Sequence, residues 1–422
     1  MIPERAATPQ GCGGSGPGLR WGMSDDVEVT PSFEIHPSDF YRYEALLRPD
    51  EREQIALLRD FLEREVRPVA DDFWERGEFP RQLIPKVAAL GLVGAGYGEF
   101  RTPPLSRLFD GFVSLEMSRV DPSFSTFWGV HSGLAFASIY HCGSPEQRER
   151  WLPGMVEMTT IGAFGLTEPE HGSDVARGLE TTARKVDGGW ELTGKKRWIG
   201  NATFADLVVI WAKDAESGEV IGFVVERETE GFVPTKIEGK IALRSVQNAD
   251  ITLTDVFVPV DHRLEIARTF ADTANVLRIT RGGVAWGAVG LQMGAYERAL
   301  AYTLEREQFG KPLASFQLVQ DHLATMLSNV TLSLGMVVRL AQMQDAGIEE
   351  DEHAAMAKAS AATLMRETVA RAREVMGGNG IVLEHGVARY FADAEAVYSY
   401  EGTREVNQLI VGRAVTGIGA FV

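Results

Sequence analysis

The chain has 422 residues, 45% hydrophobic and 24% charged, a composition that folds and can bury two or three sizeable cores. A formal net charge of −17 and the lack of any basic stripe exclude a nucleic-acid binder of the usual kind, and any anionic ligand must be met by local arginines, lysines or helix N-termini. The two cysteines, Cys12 and Cys142, lie too far apart for a disulfide framework or a metal site and fit a reducing cytosol, so a cytoplasmic location is expected. No uninterrupted apolar run of about 18 residues occurs, so no membrane span is expected, and the N-terminus lacks the apolar core of a signal peptide.

In chain order, residues 1–22 carry GCGGSGPG and almost no apolar residues, which reads as disorder with Met23 as the natural start. Residues 1–47 as a whole are expected to be a disordered or extended segment. Gly11, Gly13 and Gly16 formally match G-x-G-x-x-G, but no strand precedes them and Pro17 stands where a helix should open. Residues 48–160 read as an N-terminal helical domain: Asp50 with Glu53 resembles a capping box, and Ile55, Leu58, Phe61, Leu62 and Val66 recur at helical spacing. A Gly-rich loop at 91–98, a helix over 105–119 and an apolar, small-residue segment over 123–140 follow. From 161 to 270 the pattern is strand-like, with runs at 207–211, 220–225 and 251–258 separated by turn signals such as Asp187-Gly188-Gly189; a β-barrel-like middle domain is expected. Long breaker-poor stretches at 271–305, 315–345 and 353–376 then predict a C-terminal four-helix bundle over 271–422, with Gly377 and Gly378 stopping one helix. The fold class is α+β in the order helical, β, helical.

Several separated motifs carry more. Phe164-Gly165-Leu166-Thr167-Glu168-Pro169 with Gly172-Ser173-Asp174, Arg306-Glu307-Gln308-Phe309-Gly310-Lys311, Glu374-Val375-Met376-Gly377-Gly378-Asn379-Gly380 and Tyr400-Glu401-Gly402-Thr403 occur in this order. They resemble the signatures of the acyl-CoA dehydrogenase family, over about Arg48 to Val422. Ala285-Trp286-Gly287 and the ending Gly412-Arg413-Ala414-Val415-Thr416-Gly417-Ile418 resemble most the glutaryl-CoA dehydrogenases and their short-chain relatives.

The resemblance implies an FAD enzyme that dehydrogenates an acyl-CoA thioester to the trans-2-enoyl-CoA. It makes Glu401 the catalytic base. Locally Glu401 reads as an exposed turn residue, but a carboxylate in apolar surroundings is the stronger base that α-proton removal needs. By the same resemblance Phe164, Leu166, Thr167, Ser173, Trp198 and Ile199 contact FAD, and Thr403 and Glu405 complete its site. Trp198 by itself reads equally as a core aromatic. Arg306, Phe309 and Gln317 reach the FAD of a neighbouring subunit, and Glu374, Gly377 and Gly378 its adenosine end. That implies a homotetramer, with an electron-transferring flavoprotein as acceptor. Ser125, Thr126, Ser173, Arg281 and Gly402 fall at substrate positions; Arg281 reads alternatively as a helix ion pair. Gly200 stands where many relatives carry Ser or Thr.

The pattern breaks at the pocket. Glutaryl-CoA dehydrogenases hold the distal carboxylate with an arginine where this chain has Ser125, and a nearby glutamate is matched by Ser118. A buried carboxylate without a partner is costly, so glutaryl-CoA use and decarboxylation are not expected. Phe124, Phe127 and Trp128 suggest a shallow apolar pocket for a short or branched chain. His131, His141 and His171 lie near the family loops, where single histidines are more often structural, and are assigned no role. The alternatives are a short-chain acyl-CoA oxidase using O2, a glutaryl-CoA dehydrogenase despite the missing arginine, flavin chemistry on another C–H acid, and a non-catalytic protein that kept the fold.

Overall fold

The computed structural model describes residues 37–420; the expectations for residues 1–36, including the glycine motif and the start at Met23, lie outside the described residues. Residues 37–47 are not extended. Asp39 accepts from the backbone N–H groups of Tyr43 and Glu44 at 2.9 and 2.8 Å, and the 3-10 turn Tyr43–Leu46 follows, burying Glu44 and Leu47.

The N-terminal helices are α1 (Pro49–Phe61), α2 (Arg67–Arg76), α3 (Ile84–Ala88), α4 (Arg107–Val120), α5 (Pro122–Trp128), α6 (Phe136–Cys142) and α7 (Pro145–Val156). The cap of α1 lies two residues before the expected one: Arg48 is the N-cap, and its backbone N–H donates to Glu51 Oε2 at 2.9 Å. Pro49 explains this, since a proline at the first helical position costs no hydrogen bond.

The middle segment holds β1 (Gly162–Gly165), the single turn α8 (Val175–Gly178), and strands β2 (Thr182–Val186), β3 (Gly189–Ile199), β4 (Leu207–Asp214), β5 (Val220–Glu226), β6 (Phe232–Lys236) and β7 (Ala249–Pro259). β1 and β2 both pair with β4 in parallel, β5 pairs with β4 antiparallel, and β2-β3-β7-β6 continue antiparallel. The apolar run of β4 is explained by burial of both its faces. Leu207, Val209 and Trp211 join the helical core, while Val208, Ile210 and Ala212 join the core of the sheet domain, the alternation of a strand's side chains.

The C-terminal helices are α9 (Phe270–Glu305), α10 (Gln317–Asp345), α11 (Asp351–Val375), α12 (Val387–Ser399) and α13 (Arg404–Thr416), with the two-residue strands β8 (Glu307–Gln308) and β9 (Lys311–Pro312) forming a hairpin after α9. A fifth helix, α13, packs on α11 beside the four-helix bundle. By length and composition α10 could cross a membrane. In the fold it is a bundle helix, burying Met326, Val330, Leu334 and Val337 and donating from Asn329 to Thr368.

Buried polar groups join these parts. Arg389 of α12 donates to Asp121 at 3.0 Å, to Asp71 at 2.7 Å and to the Val120 carbonyl at 3.1 Å. Asp393 Oδ1, also on α12, accepts from Trp74 Nε1 of α2 at 2.8 Å and from the Leu243 N–H of the β6–β7 loop at 2.6 Å. One carboxylate thus ties the three parts of the chain together, and burial pushes its pKa up to about 7. Asp393→Ala strands both donors, each worth about 1–3 kcal/mol when left buried and unpaired. Its urea midpoint is expected to fall by the equivalent of roughly 2–6 kcal/mol; an unchanged midpoint would show that water replaces the carboxylate.

Candidate active site

Glu401 lies in the short turn between α12 and α13. The backbone there takes two left-handed steps, φ 56° at Glu401 and 83° at Gly402. Gly402 adopts this freely, whereas for Glu401 it costs about 1–2 kcal/mol. The surroundings hold the strain. Lys358 of α11 is fully buried, and its Nζ donates to the carbonyls of Tyr398 and Gly402 at 2.8 and 2.9 Å. Asn407 Nδ2 donates to the carbonyls of Gly402 and Thr403 at 2.9 and 3.1 Å, and Thr403 Oγ1 caps α13 by accepting from the Val406 N–H at 3.2 Å.

The carboxylate points at α9, where Thr280 Oγ1 donates to Glu401 Oε1 at 2.5 Å. Burial raises the Glu401 pKa; the Thr280 hydrogen bond and the charges of Arg281 and Lys358 oppose the rise without cancelling it. Arg281 is buried and its Nη1 pairs with Asp351 at 2.5 Å, so the ion-pair reading of this residue is realised, while its Nε is buried without a partner among the described residues. It acts on Glu401 through space, as a nearby positive charge.

Beside Glu401, Ser114 of α4, Ser125 and Thr126 of α5 and Gly283 of α9 all keep partial exposure, which marks a shallow crevice between these helices. At Gly290 and Gly294 the helices touch: an added Cβ would come within 2.1 Å of the Leu115 carbonyl and 2.3 Å of the Arg119 carbonyl. Nearer Thr280 they diverge. A Cβ at Gly287 would meet only Ser118 and Ser125 at 3.9 Å, and one at Gly283 only Ser114 Oγ at 3.8 Å. Thr126 of α5 closes the near end, with Oγ1 3.4 Å from the Tyr400 hydroxyl. The lining is therefore small and hydroxylated, and the expectation of an aromatic pocket is corrected. Phe124 and Phe127 are fully buried and pack on Phe61, Phe79 and Phe204, while Trp128 is buried in the same core. Helical spacing turns Phe124 and Phe127 away from Ser125 and Thr126.

A second face assembles residues far apart in sequence. The Arg197 N–H donates to the Thr167 carbonyl at 2.8 Å, and Lys196 donates to the Leu166 carbonyl and to Glu168 at 3.1 and 2.8 Å. Glu168 in turn accepts from the N–H groups of Glu180 and Thr181 at 2.7 and 2.9 Å. This buried pair brings Phe164, Leu166 and Thr167 beside Trp198 and Ile199. Trp198 is not a core aromatic: a register break between β3 and β7 and a φ of 65° turn it outward to 51% exposure. Ser173 is exposed in the adjoining loop. Just beyond Ile199, Asn201 Oδ1 and Thr203 Oγ1 are buried without partners among the described residues. An added Cβ at Gly200 would sit 3.0 Å from Val130, which fills the space a side chain there would need.

The remaining expected positions form a separate exposed group. Arg306 ends α9, Phe309 at the tip of the β8–β9 hairpin is 93% exposed with φ 54°, and Gln317 opens α10 in solvent. Glu374, Gly377 and Gly378 are also exposed, with no atom within 4 Å of an added Cβ at either glycine. Glu405 is exposed at the start of α13. One continuous helix separates Thr280 from Arg306, about 38 Å at 1.5 Å per residue. His131 accepts from the Gly162 N–H at 3.1 Å and lies 3.0 Å from the Met155 carbonyl, a structural pin between β1 and α7.

Comparison with known proteins accounts for this arrangement. Models of the acyl-CoA dehydrogenase N-terminal, middle and C-terminal domains match residues 48–159, 163–256 and 270–416. The chain belongs to the acyl-CoA dehydrogenase family. As such it is an oxidoreductase, built on the family's three-domain fold. It is 31% identical over 363 residues to a probable acyl-CoA dehydrogenase, YngJ, of Bacillus subtilis, covering 85% of this chain and 95% of that one. It is 32% identical over 361 residues to subunit CarC of the caffeyl-CoA reductase–Etf complex of Acetobacterium woodii, covering 84% and 95%. Among solved structures, a glutaryl-CoA dehydrogenase of Mycobacterium smegmatis in complex with FADH2 superposes with a TM-score of 0.88 at 32% identity, covering 92% of this chain and 100% of that one.

Sequence reading singled out Ser118, Ser125 and Thr126 but not Thr280, Lys358, Asn407 or Ser114. For Lys358 a signal existed: Ala354, Ala355, Ala361 and Ala362 surround it one turn away on α11, and all are buried. A lysine among alanines at helical spacing marks a buried amine. Thr280 carries no such signal, because only the fold brings it to Glu401.

Proposed function

We propose that this acyl-CoA dehydrogenase uses FAD to convert a short or branched, uncharged acyl-CoA to its trans-2-enoyl-CoA without decarboxylation, with Glu401 removing the α-proton. The observation that carries the reading is the Glu401 carboxylate, buried enough to be a stronger base than in water and held by Thr280 at the mouth of a crevice. The outward Trp198, the unspent polar atoms of Asn201 and Thr203, and the tied Leu166–Thr167 loop fit a flavin on the sheet face. When bound, FAD takes the hydride from the β-carbon. The chain's own residues do the rest. Glu401 Oε2 receives the α-proton, Thr280 fixes the carboxylate's orientation, and the positive field of Arg281 and Lys358 keeps it ionised.

The crevice supports the acyl class. Ser114, Ser118, Ser125 and Thr126 are neutral, and Gly283 and Gly287 set no side chain opposite them. No guanidinium or ammonium among these lining residues offers a partner to a distal carboxylate. The span from Thr280 to Arg306 puts Arg306, Phe309 and Gln317 beyond reach of a flavin beside their own Glu401, which supports their serving a neighbouring subunit's FAD in an oligomer, by family analogy a tetramer. The likeness to the Etf-complex subunit supports an electron-transferring flavoprotein as acceptor.

The test is to purify the protein, record its visible spectrum, and add butyryl-, isobutyryl-, isovaleryl-, octanoyl- and glutaryl-CoA anaerobically. Bleaching of the flavin band by a short or branched acyl-CoA is expected. A yellow protein that none of them bleaches would overturn the thioester reading, and stoichiometric peroxide under air would make the enzyme an oxidase.

A further inference from the structure

We propose that Lys358 is the positioning residue for the catalytic carboxylate: its ammonium grips the backbone carbonyls on both sides of Glu401, fixes the left-handed turn that aims the side chain, and sets a positive charge beside it. This rests on Glu401 being the base. Lys358 is fully buried, and its hydrogen-bond acceptors are the Tyr398 and Gly402 carbonyls at 2.8 and 2.9 Å, three residues before and one after Glu401. Among the described residues it makes no ion pair within 4.0 Å.

Burying an ammonium among alanines is unfavourable unless the charge is used. A methionine would span the same gap from α11 to the turn without that cost. What the amine adds is two charge-assisted bonds to one strained turn, which pull Tyr398 and Gly402 toward a common point and leave Glu401 projecting from the arch between them. The charged groups acting on Lys358 from the packed elements are Glu401 in the turn, Arg281 on α9 and Glu405 on α13. Burial lowers the Lys358 pKa to about 8, and the Glu401 charge opposes this. The clamp is therefore charged at neutral pH and loses its charge, and with it the charge-assisted strength of its two bonds, as pH rises through about 8.

The experiment measures anaerobic flavin reduction by butyryl-CoA against pH in wild type, K358M, K358R and E401Q, with FAD content recorded for each. K358M is expected to lose on the order of 100-fold in rate at neutral pH, the effect of misplacing a reacting group by about an ångström. Its acid limb moves to higher pH, because removing a nearby positive charge makes Glu401 harder to ionise, and the wild-type alkaline limb disappears. In K358R the alkaline limb leaves the accessible range, since a guanidinium stays charged. A residue that merely packs would lower the rate equally at every pH and leave both limbs in place; that result for K358M overturns the proposal. Should K358M not fold, an alkaline limb at the wild-type position in K358R overturns it alone. E401Q separates the two ideas: a reactive E401Q removes the base assignment itself, whereas an inert E401Q beside an unmoved K358M removes only Lys358.

Discussion

Glu401→Gln is expected to slow flavin reduction by any acyl-CoA by roughly 1,000- to 10,000-fold, the upper part of what a general base contributes, with FAD still bound. Glutamine has the same shape and can accept the Thr280 hydrogen bond at the same oxygen, so the turn and the crevice keep their geometry. What it loses is the basic oxygen. No neighbour can substitute, because the charged groups acting on Glu401 are Arg281 and Lys358, both cationic. Stopped-flow absorbance measures the rate, and the FAD-to-protein ratio shows that the site is intact. Turnover retained within tenfold would move the base elsewhere.

Glu401 and its turn were legible because the Tyr400-Glu401-Gly402-Thr403 motif is local, and its glycine follows from the turn it must make. The β4, β5 and β7 strands and the three long C-terminal helices were legible for a related reason. Their apolar periodicity reports burial directly, and Gly377 at φ 58° ends α11 where the paired glycines predicted a stop. The pocket was not legible. Phe124, Phe127 and Trp128 looked like a lining because they neighbour Ser125 in sequence, yet a helix puts adjacent residues on different faces. Beside Ser118, Ser125 and Thr126, the residues that line the crevice are Ser114 on α4 and Gly283 and Gly287 on α9, which read singly as unremarkable helix positions. Their meaning depends on where α9 leaves α4: the same glycine stripe gives backbone contact at Gly290 and Gly294 and ordinary side-chain contact with serines at Gly283 and Gly287. Trp198 illustrates the converse. Its type suggested core, and a register break in the β3–β7 pairing turned it outward.

The same crevice sets the second large effect. Butyryl- and glutaryl-CoA differ by a carboxylate at the far end of the chain, which in this protein would be carried in toward Ser125 and Ser118. A buried carboxylate without a charge partner costs roughly 3–5 kcal/mol, and 1.36 kcal/mol is tenfold. Glutaryl-CoA should therefore have a kcat/KM at least about 100-fold below that of butyryl-CoA. Ser125→Arg should narrow the gap from both sides, giving the carboxylate a bidentate partner and leaving a neutral chain beside an unpaired guanidinium. Ser125 suits the substitution because its hydroxyl makes only one long contact, 3.5 Å to the Ser114 carbonyl. Steady-state kinetics on both thioesters with both proteins checks this. Efficient wild-type turnover of glutaryl-CoA would mean that a cation outside the serine crevice meets the carboxylate. An unchanged ratio in Ser125→Arg would mean that the acyl chain does not run between α4 and α9 at all.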